Sequence, residues 1–145
     1  MAQPIVIKDG GRGTRHGAIV TSLGQLVTSP VSYDQTIFKE LAEPDTAYNF
    51  YRIVAGKQFV ITGIIAKADK QVSSTVDAIL VVYEAASDLD TTPSKVLFQT
   101  AVVQGDQLVL LPLNIVVNEG VYINAKTTDD DIYMTVMGYF IDRIT

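Results

Sequence analysis

The sequence of 145 residues contains no cysteine, no tryptophan and a single histidine, His16. Without cysteine, disulfide bonds and thiolate metal ligands are excluded. His16 lies in a glycine-rich stretch, which is a poor position for the base of a nucleophilic triad. Without tryptophan, the side chain best suited to stack on a sugar ring is missing. We therefore expect a protein that is not an enzyme and that uses no cofactor and no metal.

Charged residues are also scarce, at 19% of the chain, whereas hydrophobic residues make up 48%. Soluble domains typically carry ~25% charged residues. No run approaches the ~20 apolar residues of a membrane span. The opening MAQPIVIKDGG lacks the charged and apolar regions of a signal peptide, so we expect neither a leader nor contact with a membrane. The apolar excess favours burial against other chains, although a large core within one domain would also account for it.

The few charges are unevenly distributed. Residues 1–16 carry a formal charge of +2, from Lys8, Arg12 and Arg15 against Asp9, which leaves −7 on the remainder of a chain whose total is −5. Nucleic-acid binding requires clustered Lys and Arg, so the acidic body argues against a nucleic-acid partner. The basic segment is suited to an acidic protein surface, and a solvated tail is the alternative.

Alternating, β-branched runs fill the chain after residue 30 and are separated by Gly, Asp, Ser, Thr and Pro clusters. Their close spacing, with no long helical period between them, predicts an all-β, antiparallel jelly-roll-like sandwich over residues 31–145. About eight strands are expected, the number of a jelly roll. Residues 33–44 fit either a strand or a short helix begun at Asp34, and a strand suits the context better. The runs are AYNFYRIV, KQFVITGIIAKA, TVDAILVVYEA, KVLFQTAVV, QLVLLPLNIVV, GVYINAKT and DIYMTVMGYFI.

Two runs are apolar on both faces, whereas GVYINAKT shows the ordinary half-exposed pattern, with Tyr122, Asn124 and Lys126 on its polar face. In the last run, one face carries Ile132, Met134, Val136 and Phe140. The opposite face carries the residues that we predict to form an oligomer interface: Tyr133, Met137, Tyr139 and Ile141. LVLLPLNIVV behaves similarly, and its Pro112 should lie at a bulge or a sheet edge. A neighbouring subunit, the N-terminal segment or the chain's own loops could cover such a second face.

Acidic residues offer two weak chemical candidates. Asp129, Asp130 and Asp131 form a predicted hairpin loop whose carboxylates either hold calcium or protect a strand edge, but the ligand spacing of an EF-hand is missing. Glu40, Glu43 and Asp45 could imitate the carboxylate pair of a glycosidase, yet any acidic protein offers such pairs. The stretch GGRGTRHG lacks the spacing of a phosphate-binding loop.

Residues 1–30 are predicted to be an N-terminal docking arm outside the sandwich. Glycines raise the entropic cost of ordering this segment, so contacts with a partner should order it. A short hairpin is expected, with strands at Ala18–Thr21 and Gln25–Thr28 and a turn at Ser22–Gly24. The predicted docking residues are the apolar Ile5, Val6 and Ile7 together with Lys8, Arg12, Arg15 and His16.

Three stretches carry a resemblance to a known class of proteins: IKDGGRGTRHGAIVTSLGQLVT, YNFYRIVAGKQFVITGIIAKADKQV followed by AILVVYEAAS, and INAKTTDDDIYMTVMGYFI. The first resembles a segment at the front of tailed-phage virion proteins, and the other two resemble small jelly-roll proteins that decorate phage heads. The resemblance is diffuse, spans most of the chain and includes no catalytic motif. It implies a structural protein of the phage particle, assembled in the host cytoplasm and oligomeric.

Three functions remain open at this point. The first is a capsid decoration or cement protein that forms a homo-oligomer, a trimer before a dimer, and binds the major capsid protein or another virion protein through its arm. The second is a fibre-tip, neck or receptor-binding component that contacts a host glycan or protein. The third, an enzyme or carbohydrate-binding module of cupin-like shape, would need His, Glu or Trp clustered inside the barrel, and one His with no Trp counts against it.

Overall fold

The computed structural model describes residues 4–8, 15–19, 35–68, 78–103, 107–129 and 132–143. The chain divides into two compact units, Met1–Pro30 and Val31–Thr145. In the first unit, β1 (Pro4–Lys8) pairs antiparallel with β2 (Arg15–Ile19), from Pro4 opposite Ile19 to Lys8 opposite Arg15. A strand pair therefore forms earlier in the chain than the predicted hairpin, and Ala18 belongs to β2. The rest of the predicted hairpin lies outside the described residues.

The described part of the second unit contains nine strands and no helix, so the predicted all-β class is confirmed. The segment that also fitted a short helix is a strand. The nine strands are β3 (Gln35–Leu41), β4 (Tyr48–Arg52), β5 (Lys57–Ala68), β6 (Ala78–Ala85), β7 (Lys95–Val102), β8 (Gln107–Leu110), β9 (Ile115–Val117), β10 (Tyr122–Thr127) and β11 (Ile132–Asp142).

These strands form two antiparallel sheets. One has the order β4-β10-β6-β7, and the other has the order β3-β11-β5-β8, with β9 also paired to β5. If β8 and β9 are counted as one interrupted strand, the pairs are nested: β6 with β7 innermost, then β5 with β8 and β9, then β4 with β10, and β3 with β11 outermost. A long hairpin wrapped on itself gives this nesting, which is the topology of a jelly roll. The predicted sandwich is therefore confirmed.

The run of residues 107–117, predicted as one strand, is two strands. Pro112 lies between β8 and β9, at the edge of the five-stranded sheet, and the Leu111–Pro112 peptide is cis. Proline has no amide hydrogen to donate to a ladder, so the pairing with β5 stops there. The prediction that Pro112 lies at an edge or a bulge is confirmed.

The core lies between the sheets and is built from alternate residues of each strand. The β11 side chains Ile132, Met134 and Val136 are fully buried in it, as their shared face predicts. The Tyr51 hydroxyl of β4 donates a hydrogen bond of 3.0 Å to the carbonyl of Val136 on the other sheet. Three aromatic rings pack together beside this bond. The ring centroid of Phe59 lies 4.3 Å from that of Tyr51 and 4.8 Å from that of Phe140. Aromatic packing and the hydrogen bond from Tyr51 thus join the two sheets.

A β-bulge interrupts the pairing of β5 with β11. Met137 is opposite Gly63, whereas the next residue, Gly138, is opposite Ile61, so Thr62 is the extra residue. The carbonyl of Thr62 accepts a hydrogen bond of 2.7 Å from the amide of Leu113. A bulge shifts the faces of a strand, and here it lets both Ile61 and Ile64 point into the core.

Candidate interaction surface

The outer face of the five-stranded sheet carries an unusual number of apolar side chains. Register places Phe38, Thr135, Ile65 and Val109 in one row across β3, β11, β5 and β8. Phe38 is 61% exposed and Val109 is 50% exposed. A sandwich strand needs only one apolar face, so exposed side chains of this kind point to an interaction surface. We name this row and the side chains beside it the outer apolar face. Its further members are Tyr133, Met137, Tyr139, Ile141, Leu111 and Val116.

Tyr133 borders this row and belongs to the predicted interface. Its ring stacks on that of Phe38, with centroids 5.8 Å apart and planes 5° from parallel. Its hydroxyl lies 3.5 Å from a carboxylate oxygen of Glu40. The pair is a diagonal cross-strand contact, which orients both rings towards the outside of the sheet.

Met137 lies in the next row of this face, opposite Gly63 of β5. It was predicted to contact another subunit, but its surroundings are different. It is only 8% exposed although it points outwards. A Cβ atom at Gly63 would lie 2.7 Å from Met137 Cε and would overlap Leu111 Cδ2, so both side chains lie above this glycine. Leu111, which is 42% exposed, therefore covers Met137. At this position the chain's own loop, and not a partner, supplies the cover.

Tyr139 and Ile141 complete the predicted set, and both are half-buried on the outer side of β11. Tyr139 is opposite Val60, which in turn is opposite the 45%-exposed Val116 of β9. Ile141 is opposite Gln58, whose side-chain amide donates to Asn118 over 2.8 Å. Polar contacts thus mark this end of the outer apolar face.

The structure brings the four predicted interface residues onto one face, but its most exposed members were not predicted. Phe38 comes from β3, which pairs with β11. Val109, Leu111 and Val116 come from β8, β9 and the segment between them, which flank β5. The signal for Val109 was present in the two-sided run of residues 107–117. Phe38 was not identified because residues 33–44 fitted either a strand or a short helix, so no outward face was assigned to them.

Part of the outer face of the other sheet is covered by a loop of the chain itself. Asn124, predicted to lie on the exposed polar face of its strand, is fully buried beneath the loop of residues 86–94. Its side-chain amide donates to the carbonyls of Ser87 and Asp90, over 2.9 and 3.2 Å, and its oxygen accepts from Asn49 over 3.0 Å. The prediction was wrong because the polar side chain anchors a loop across the sheet, and alternation within a strand does not report such a contact.

Tyr83 supports the same loop from below. Its hydroxyl donates a hydrogen bond of 2.8 Å to the carbonyl of Asp90, and burial raises the pKa of this phenol. Lys126 adds a bond of 2.8 Å from its ammonium group to the carbonyl of Thr91. The loop is therefore fixed at several points, while its apical Leu89 remains 79% exposed.

Charged side chains tie the chain together at one end of the sandwich. The Glu119 carboxylate accepts hydrogen bonds from the Gly56 amide and the Arg143 guanidinium. The bond from Gly56 lowers the pKa of Glu119 below its ordinary 4.5, desolvation opposes this effect, and the charge of Arg143 adds to it. Lys57 and Asp142 form an ion pair of 2.6 Å nearby. These contacts join two turns to the end of β11.

The predicted docking residues fall in the first unit. Ile5, Val6, Ile7 and Lys8 belong to β1, and Arg15 and His16 belong to β2. In the backbone register, His16 is opposite Ile7 and Arg15 is opposite Lys8. Arg12 lies outside the described residues.

The part of the chain that the structure describes offers no cluster of metal ligands and no membrane-spanning helix. Within the described ranges, no group of three His, Cys, Asp or Glu side chains is arranged to hold a metal. Asp129 is described, but Asp130 and Asp131 are not, so the calcium alternative for that loop is untested. The described residues include no helix long and apolar enough to cross a membrane.

No family model matches the sequence, and the search of curated proteins returned no match.

Proposed function

We propose that the protein is a structural component of a bacteriophage particle, without enzymatic activity, that decorates or stabilises the capsid as a homo-oligomer. The outer apolar face is the observation that supports this proposal best. Phe38, Val109, Leu111 and Val116 expose apolar area that association with another protein would remove from water. A stable interface of this kind should bury well over ~1,000 Å².

The first unit supplies the second element of the proposal. β1 and β2 form a strand pair within a compact unit that is distinct from the sandwich. Residues 1–16, which belong to this unit, carry a formal charge of +2, whereas the rest of the chain is acidic. We assign it the attachment to the capsid or another virion protein, where charge complementarity would mainly increase the rate of encounter.

A trimer is our first expectation for the assembly, and a dimer is the second. The resemblance to small jelly-roll proteins of phage particles implies an oligomer, and closed symmetry would let each copy use the same apolar surface. The particle is therefore the expected location, with assembly in the host cytoplasm.

A receptor-binding or fibre-tip protein is the second candidate. The loop of residues 86–94 favours it, because Asn124 and Tyr83 fix the loop while Leu89 stays exposed at its apex. A preorganised loop with an exposed apolar side chain is suited to binding a partner with little entropic loss.

The deciding experiment measures binding to purified capsids that lack the protein. The full chain should bind these capsids, and a variant without residues 2–30 should remain folded but fail to bind. Unchanged affinity of the truncated protein would contradict the role of the arm. Binding to host cells but not to capsids, with only a few copies per particle, would instead establish the second candidate.

A further inference from the structure

A cavity of about 420 Å³ opens at the end of the sandwich where the turn after β4 faces the turn before β10. Its lining includes Arg52, Val54, Ala55, Ala86, Gly120 and Tyr122. The volume falls within the ~300–1,000 Å³ of typical small-molecule sites. The cavity is separate from the outer apolar face, because Arg52 and Tyr122 belong to the other sheet.

Arg52 and Tyr122 form the polar part of this cavity. They are directly opposite each other in the register of β4 and β10, and the guanidinium carbon lies 5.6 Å from the centre of the tyrosine ring. A guanidinium over an aromatic face is held by a cation–π interaction, which leaves its N–H groups available at the edge. The tyrosine therefore orients the arginine without using its donors.

Arg52 has no carboxylate partner among the described residues. The ion pairs found there join Lys57 to Asp142, Lys95 to Glu84 and Arg143 to Glu119. Glu119, which directly precedes the lining residue Gly120, is already bound by Arg143 and the Gly56 amide. Among the described residues, the positive charge of Arg52 at the cavity is therefore not neutralised by an ion pair.

Backbone hydrogen bonds hold the walls of the cavity in place. The Ile53 amide donates to the carbonyl of Val121 over 2.9 Å, and the Gly120 amide donates to the carbonyl of Ile53 over 2.8 Å. Gly56 and Gly120 have φ values of 79° and 81°, which glycine adopts without strain and which fix the two turns. A site with fixed walls binds without a large ordering cost.

We propose that this cavity binds a small ring-bearing carboxylate of the size of a single sugar acid. The planar guanidinium of Arg52 matches a carboxylate with two parallel N–H···O bonds. Val54, Ala55 and Ala86 form an apolar rim suited to the C–H face of a ring. The cavity is larger than a bare carboxylate needs, so the ligand should also carry a ring. The acidic body repels a long polyanion, so the ligand should carry only one carboxylate.

The test is a titration of the full-length protein with sodium glucuronate, followed by backbone amide NMR. Glucose serves as the neutral ring and sodium acetate as the bare carboxylate. Glucuronate should shift the amides of residues 52–56 and 120–122 in a saturable manner, with a dissociation constant in the range of about 1 mM. Glucose and acetate should each bind at least about tenfold more weakly.

Arg52→Met removes the guanidinium but keeps an unbranched side chain against Tyr122, so the fold should be retained. Arg52→Met should weaken glucuronate binding at least about tenfold. Arg52→Lys, which keeps the charge but loses the planar pair of N–H donors, should weaken it less. Lys95→Met is the matched control because it removes an exposed positive charge elsewhere on the same sheet, and it should bind like the parent. Equal binding of glucose, equal binding of acetate, or unchanged binding by Arg52→Met would each overturn the proposal, as would the lack of saturable shifts.

Discussion

The side chains of Leu111 and Met137 meet above Gly63, and they approach it from opposite sides of β5. Met137 extends from β11, and Leu111 follows β8 on the other flank of the same strand. Because position 63 has no side chain, the two can close over the sheet and leave Met137 only 8% exposed. This contact seals the middle of the outer apolar face from within the chain.

Gly63→Ala should therefore destabilise the protein. The new methyl group would overlap Leu111 Cδ2 and would lie 2.7 Å from Met137 Cε, so at least one of these flexible side chains must move. We expect a loss of ~1–3 kcal/mol in the free energy of unfolding, measured by denaturant titration. Adding Leu111→Ala should recover part of that loss. No recovery in the double variant would show that the overlap with Leu111 is not the cause of the loss.

Gly138→Ala is the matched comparison and should be more damaging. Its methyl group would overlap the backbone carbonyl oxygen of Val60 and would lie 2.6 Å from Phe59 Cζ in the core. A backbone atom within a paired strand cannot rotate aside as a leucine methyl can, so we expect a larger loss than for Gly63→Ala. An equal or smaller loss would contradict this ranking.

The long strands were predictable from sequence because their pattern is local. β5 begins and ends where the alternating, β-branched run KQFVITGIIAKA does, and β11 follows its run within one residue at either end. The pairing of these strands was not predictable, since it depends on which distant partners wrap into the nested hairpin. The split at Pro112 followed from the missing amide hydrogen, but the sequence did not show that two separate strands would result.

The candidate surface was predictable only in part. The two-sided pattern of β11 identified a second apolar face, and the register confirms that its four predicted residues share that face. Which of them is exposed depends on tertiary neighbours, as the cover of Met137 by Leu111 shows. Burial of Asn124 has the same origin, because a loop from elsewhere in the chain folds over it.

Asn124→Ala should release the loop of residues 86–94. The variant removes the donors to Ser87 and Asp90 and the acceptor for Asn49, all in a buried position. Unsatisfied buried groups cost ~1–3 kcal/mol each before relaxation, so we expect a loss of that order in the free energy of unfolding. Hydrogen exchange should show faster exchange in residues 87–91. Asn118→Ala, which removes only the exposed hydrogen bond from Gln58, should change stability by less than ~0.5 kcal/mol and leave the loop protected.

The Glu119 contacts should make stability depend on pH. The folded pKa of this carboxyl lies below its ordinary 4.5, so the folded state holds the charged form more strongly than the unfolded state does. The resulting stabilisation is present above the unfolded value and is lost as the pH falls through the folded pKa. The stability difference between the parent and Glu119→Gln should therefore be largest above pH 4.5 and shrink below it. A difference that stays constant from neutral pH to well below 4.5 would contradict the linkage.

The last prediction concerns self-association through the outer apolar face. Met137→Asp is unsuitable for testing it, because a charge beneath Leu111 would destabilise the fold itself. Val109→Asp places the charge on a side chain that is 50% exposed, and Val96→Asp is the matched control, at 49% exposure on the edge strand β7 of the other sheet. Sedimentation at micromolar concentration should show an oligomer for the parent and for Val96→Asp. Val109→Asp should be a folded monomer, because association would bury its unpaired charge against another subunit. A monomeric parent, or an oligomer that Val109→Asp leaves intact, would show that this face is not the subunit interface.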